Sequence, residues 1–174
     1  KLIKSGLGKA ILSGNNSMAG GISITQGALQ ADSAGALGDG PITIKYGSTP
    51  RGQLFYNVEG ATFNNPTIKI SGTYSSSVNY APVQAMASTT IKANISSTVG
   101  MHIGNYPVNG TDGSNTQRTV FDGTISDTSK KDIRFRSYGT LVFNGAITCG
   151  ALVTSTVASN KGTIEFNSPD NEIG

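Results

Sequence analysis

Three carboxylates and two guanidinium groups fall close together in the chain: Asp122, Asp127 and Asp132, followed by Arg134 and Arg136. Glycosidic-bond cleavage needs two carboxyl groups about 5–9.5 Å apart. Asp122 and Asp127 would meet that spacing if the turn between them folded back. The plainer reading makes Asp122-Gly123 a turn and leaves Asp127 and Asp132 in a polar loop. His102 is the single histidine. Met101 and Ile103 flank it in strand-like text, so it is expected to face away from them as a surface or corner imidazole. No Ser–His–Asp set or metal-ligand spacing surrounds it. Cys149, in AITCGAL, is expected to be a buried small thiol. One cysteine also excludes a disulfide framework. These residues supply no catalytic group, metal ligand or cofactor site, and the chain reads as a non-enzyme.

Binding chemistry has two candidate places. The polar stretch 104–118, GNYPVNGTDGSNTQR, lengthens one repeat, and an insertion in a solenoid maps to a loop on one face. Tyr106, Asn109, Asp112, Asn115 and Arg118 would contact sugar or protein there. Its Asp112-Gly113-Ser114-Asn115 run lacks the spaced acidic ligands and closing Glu of a calcium loop. Lys69 and Lys92 would form a short outward ladder, either a solvated face or a contact for an anion or polysaccharide. The net charge of +3 is spread along the chain; nucleic-acid binding would need Lys and Arg clustered on one face. Gly6, Gly8 and Gly20-Gly21 open no helix, so they are not a nucleotide loop.

The elements that must position these residues follow from composition and period. Gly, Ser, Thr and Asn fill 76 of 174 positions, and only 13% of residues are charged. Helical bundles and doubly wound folds need runs of Ala, Leu, Glu and Lys, so both are excluded. The apolar residues are rich in Ile and Val, and no stretch is long enough to span a membrane as a helix. Thr-Ile-Lys recurs at 43–45, 67–69 and 90–92. RTVFDGTI, TLVFNGAI and TIEFNS align on Phe121, Phe143 and Phe166. One strand therefore recurs about every 23 residues, too closely for βαβ units. The spacing predicts an all-β, right-handed parallel β-helix of about seven coils, one segment over 1–174. A hairpin-built β-sandwich is the rival fold. Alternation assigns one inward ladder to Ile24, Ile44, Ile70, Ala93, Phe121, Phe143 and Phe166. Leu29, Phe55, Met101, Ile103, Ile133, Phe135 and Leu152 would line a second face. Gly123 and Gly145 fall at the same place in successive repeats, as corners with φ > 0.

The first 45 residues carry Lys4, Gly6, Gly8, Leu12, Gly14, Asn15, Gly20, Gly21, Gly27, Leu29 and Leu37-Gly38 at fixed offsets. This pattern resembles the autotransporter-associated β-strand repeat. Ala10, Ile11 and Met18-Ala19 depart mildly from it. The resemblance implies a right-handed β-helix in a large bacterial surface or secreted protein, of which this chain would be one module. It also implies a stalk or scaffold role and an extracellular location. The expected partners are neighbouring coils or copies of the chain end to end. Surface polysaccharide or host protein is the partner of an adhesin alternative, and a polysaccharide-active β-helix enzyme is the third reading.

Overall fold

The computed structural model describes residues 1–47, 51–73, 81–105, 116–154 and 162–174. Among them are twenty strands and no helix, and their strand pairs are parallel. The strands sort into three sheets of eight, seven and five. The sandwich alternative, which needs antiparallel hairpins, is thereby set aside.

The first sheet stacks Leu2–Lys4, Ile22–Ile24, Ile42–Tyr46, Thr67–Gly72, Asn94–Ser97, Ile125–Asp127, Ile147–Cys149 and Glu172–Ile173. The second stacks Lys9–Leu12, Gly27–Ala31, Gly52–Tyr56, Val83–Ala85, Met101–Asn105, Asp132–Ser137 and Ala151–Thr154. The third begins later, with Ala61–Phe63, Thr89–Ile91, Arg118–Phe121, Thr140–Phe143 and Thr163–Phe166. The chain visits the sheets in turn, which makes a parallel β-helix. Eight strands spaced by about 4.8 Å give a column roughly 34 Å long.

Alternation places the apolar residues inside. Ile22, Ile42, Ile68, Ile95, Ile125 and Ile147 stand one above another in the first sheet and are buried. Phe63, Ile91, Phe121, Phe143 and Phe166 do the same in the third. The rings of Phe121 and Phe143 are stacked at 5.1 Å, and those of Phe143 and Phe166 at 5.6 Å. Phe166, in the end strand of this sheet, is 41% exposed.

The register corrects the single inward ladder. Ile24, Ile44 and Ile70 belong to the first sheet, where the next position is Ser97 rather than Ala93. Phe121, Phe143 and Phe166 belong to the third. Ala93 lies past the third-sheet strand Thr89–Ile91, at the corner leading back to the first. The recurring Thr-Ile-Lys caused the conflation. Its first two copies sit in the first sheet two residues out of register, since Ile44 pairs with Ile70 and not Ile68. The third copy lies at the end of a third-sheet strand. A slip of two preserves the inward face, so alternation alone cannot detect it. Phe55 is corrected too: Leu54 and Tyr56 are buried, while Phe55 lies between Gln30 and Gln84 on the outer row.

Gly123 and Gly145 are corners, but neither has a positive φ. What each needs is room. A Cβ on Gly123 would strike the Ala93 carbonyl oxygen, and one on Gly145 would strike that of Gly123. The coils pack too closely there for any side chain.

Candidate functional site

The candidate carboxylates do not converge. Asp122 precedes the strand Ile125–Asp127 and Asp127 is its last residue, so the extended backbone runs between them. Asp122 is at the corner after the third sheet, and its Oδ1 accepts a 2.8 Å bond from Asn144 Nδ2. Asn144 Oδ1 in turn accepts from Asn167 Nδ2 at 2.9 Å. This is a ladder of side chains climbing three coils along one corner.

Asp127 is 3% exposed and organises the corner between the first and second sheets. Its carboxylate accepts from the backbone N–H of Gly100 (3.1 Å) in the adjacent coil and from those of Ser129 (3.3 Å) and Lys131 (2.6 Å). The Ser129 hydroxyl lies 2.8 Å from both oxygens. The short Asp side chain folds the following turn onto itself, and Lys130 there adopts φ 56°. The oxygens are thus occupied, and the arrangement is that of a structural hub. Asp132 pairs with Arg134 at 3.2 Å, two residues along the same outer face. A cavity of about 580 Å³ opens beside Asp127, Lys130, Cys149 and Glu172 in the last coil. Among the described residues no group of three His, Cys, Asp or Glu side chains could hold a metal ion.

His102 departs from its expectation. It faces away from Met101 and Ile103 as alternation requires, in register with Arg134, yet it is only 3% exposed. The Tyr46 ring lies 6.4 Å from it. Burial drives its pKa down to about 4, and the Arg134 and Arg136 charges push the same way. The imidazole is therefore neutral near pH 7. Cys149 is 5% exposed, and burial raises its thiol pKa, which keeps it protonated and unreactive.

Lys69 and Lys92 do not share a ladder. Lys69 stands between Thr43 and Ser96 on the outer face of the first sheet. Lys92 follows the third-sheet strand Thr89–Ile91. Arg118 makes an exposed ion pair with Glu165 at 3.8 Å. Tyr106, Asn109, Asp112 and Asn115 lie outside the described residues.

The best-formed polar site was missed by reading for chemistry. Lys4 is 8% exposed, and its ammonium donates to the carbonyls of Ser5 (3.0 Å), Gly6 (2.8 Å) and Gln26 (2.9 Å). Three donors meet three acceptors, so the buried charge is fully hydrogen-bonded. Gly27 lies against this staple at φ 72°, and a Cβ there would clash with the carbonyls of Gly6 and Gly8 and with the ammonium. Lys4, Gly6, Gly8 and Gly27 are therefore one device that fixes a corner and ties it to the coil above. The signal in the sequence was their fixed spacing. A second network lies on the outer face of the second sheet. There Lys9 Nζ donates to Gln30 Oε1 at 2.9 Å, and Gln30 and Asn57 both donate to Asp32. Those amide bonds, Gln30's first, hold the Asp32 pKa below its usual value.

A family model described as the passenger-associated-transport-repeat matches residues 2–31. The matched stretch covers the first coil and continues through the second-sheet strand Gly27–Ala31, so it contains the whole Lys4 staple. No curated protein and no solved structure matches the chain. The stretch similar to that repeat is thus a β-helix coil in which Lys4, Gly6, Gly8 and Gly27 secure the contact to the next coil.

Proposed function

We propose that this chain is a non-catalytic scaffold segment of a passenger-type bacterial surface or secreted protein, serving as a stalk that spaces and displays other parts. The observation that carries this reading is where the polar chemistry goes. Lys4, Asp32, Asp122, Asp127 and Asp132 are each bonded within or between coils. A β-helix held this way transmits force along its axis through three ladders of backbone hydrogen bonds.

Two measurements test the reading. Small-angle X-ray scattering should give a rod whose length follows from the ~4.8 Å coil spacing. A panel of acidic and neutral polysaccharides should be neither cleaved nor bound. Turnover of any member would contradict the scaffold reading, and saturable binding would move the chain to the adhesin alternative.

A further inference from the structure

Three large apolar side chains stand in water around one corner of the column. Ile3 is 62% exposed, Leu7 80% and Ile11 53%. Alternation turns Ile3 outward on the first sheet, where it pairs with Ser23, and Ile11 outward on the second, where it pairs with Gln30. Leu7 is the tip of the turn between those two strands. All three point sideways from the column. A further coil stacked on this one would lengthen their rows and would not cover them. The turn itself is built to leave water. A backbone carbonyl carried into an apolar medium without a partner is costly. Here the carbonyls of Ser5 and Gly6 accept from the Lys4 ammonium, and that of Gly8 accepts from the Ala28 N–H at 3.3 Å. The same bonds hold the turn in place, so little freedom is lost when Leu7 is buried.

The flank of this tip is basic. Residues 1–31 contain no acidic residue. Lys9 is exposed, and its hydrogen bond goes to the neutral amide of Gln30. Lys45 and Lys69 are exposed on the outer face of the first sheet, where Lys69 pairs with Thr43 and Lys45 stands two residues along from Thr43. Lys69 lies three steps from Ile3 in one outward row, about 14 Å away. That row meets no carboxylate before Glu172. An apolar tip with a basic flank is complementary to a bilayer surface that carries anionic headgroups. We propose that this corner docks on an anionic lipid surface. Leu7 enters the boundary between headgroups and acyl chains, with Ile3 and Ile11 on either side of it. Lys9, Lys45 and Lys69 face the headgroup phosphates. A few apolar side chains alone bind marginally and a few lysines alone are screened by salt, so the two signals act together.

The chain has no tryptophan, so Leu7→Trp supplies a single reporter. With vesicles of phosphatidylglycerol and phosphatidylcholine in equal parts, its emission should shift to the blue, and the shift should fade as salt is raised. Thr62→Trp, exposed on the outer row of the third sheet, should not shift. In co-sedimentation the wild-type chain should bind these vesicles and not vesicles of phosphatidylcholine alone. Leu7→Ser should weaken binding about tenfold. Lys45→Glu combined with Lys69→Glu should weaken it by a similar factor and remove most of the salt dependence. These positions are exposed, so the far-UV circular dichroism should stay unchanged. A chain that binds neither kind of vesicle would overturn the proposal, as would equal binding to both or a Leu7→Trp emission that stays unshifted. So would a blue shift that grows with protein concentration in the absence of vesicles, since the corner would then belong to a second copy of the chain. The proposal rests on this corner and survives a failure of the scaffold reading.

Discussion

The first two coils and the later ones solve the same problem in different ways. Residues 13–21 and 32–41 close the third side of the column with turns. Their residues, SGNNSMAGG and DSAGALGDGP, lack the β-branched and aromatic types that favour strands. Side chains bonded to backbone hold that side instead: Asn16 to the Ala36 carbonyl (2.9 Å), Ser33 to that of Gly14 (2.6 Å), and Asn65 to that of Gly40 (2.8 Å). From Ala61 onward the third side is a sheet, and Phe rings fill it. The step along the first sheet is 20 residues from Ile22 to Ile42 but 30 from Ile95 to Ile125. The difference teaches that the first two coils are specified by their corners, whereas the later coils are specified by their core. The corner device tolerates little change in spacing, and the core device tolerates a good deal.

Substitutions should separate the two regions. Phe143→Ala removes a ring that touches Phe121, Phe135 and Phe166. It should cost roughly 3–5 kcal/mol by urea denaturation. Hydrogen exchange should rise first in the coils after Arg118, since each coil is supported by its neighbours. Acid should come next. His102 titrates near 6.5 when unfolded and about 4 when folded. The unfolded chain therefore takes up the proton first as pH falls. Stability present above pH 6.5 should drop on the order of 3 kcal/mol by pH 4. The groups that face this imidazole are Arg134, Arg136, Asp132 and Tyr46. His102→Gln should flatten that part of the profile, and an unchanged profile would remove His102 from the account.

In the first coils the largest effect should come from Lys4→Met, which keeps the length of the side chain and strips three carbonyls of their donor. About 1–3 kcal/mol is expected, again by urea, with exchange rising in residues 1–31 and not near Phe143. Asn144→Ala cuts the corner ladder between Asp122 and Asn167 and should cost about 1 kcal/mol. Arg118→Ala removes only an exposed ion pair and should change stability by less than ~1 kcal/mol. If Lys4→Met opened the Phe-stacked coils as readily as the first ones, the division into two regions would fail.

Much of the fold was legible in the sequence because a solenoid repeats its errors as well as its signals. Ile22, Ile24, Ile42, Ile44, Ile68 and Ile70 announce an inward face by alternation alone, and the Phe residues at 121, 143 and 166 announce a period. Which ladder each belonged to was not legible. Ile68 and Ile91 sit in the same Thr-Ile-Lys tripeptide with an apolar residue two positions on, and only the strand pairing, Ile68 with Ile95 and Ile91 with Phe121, separates them. The polar sites were harder. The bonds of Lys4 run to backbone carbonyls brought close by Gly6 and Gly27, and backbone leaves no mark in a composition. The burial of His102 depends on what packs over an outer face, which alternation does not describe. Asp127 could be read as a turn residue, but its reach to Gly100 crosses a coil and needed the register.

The central claim is that equivalent strands stack in parallel, one coil apart. Pulsed electron resonance on pairs of spin labels along one outward row tests it most directly. With Cys149→Ser as background, one label goes at Ser23 and the other at Ser126 or Thr148, which stand four and five coils away. The backbone separations should be about 19 Å and about 24 Å, growing by one strand spacing per coil. Distances that fail to grow in that order, or that place Thr148 nearer to Ser23 than Ser126 is, would contradict the stacked coil.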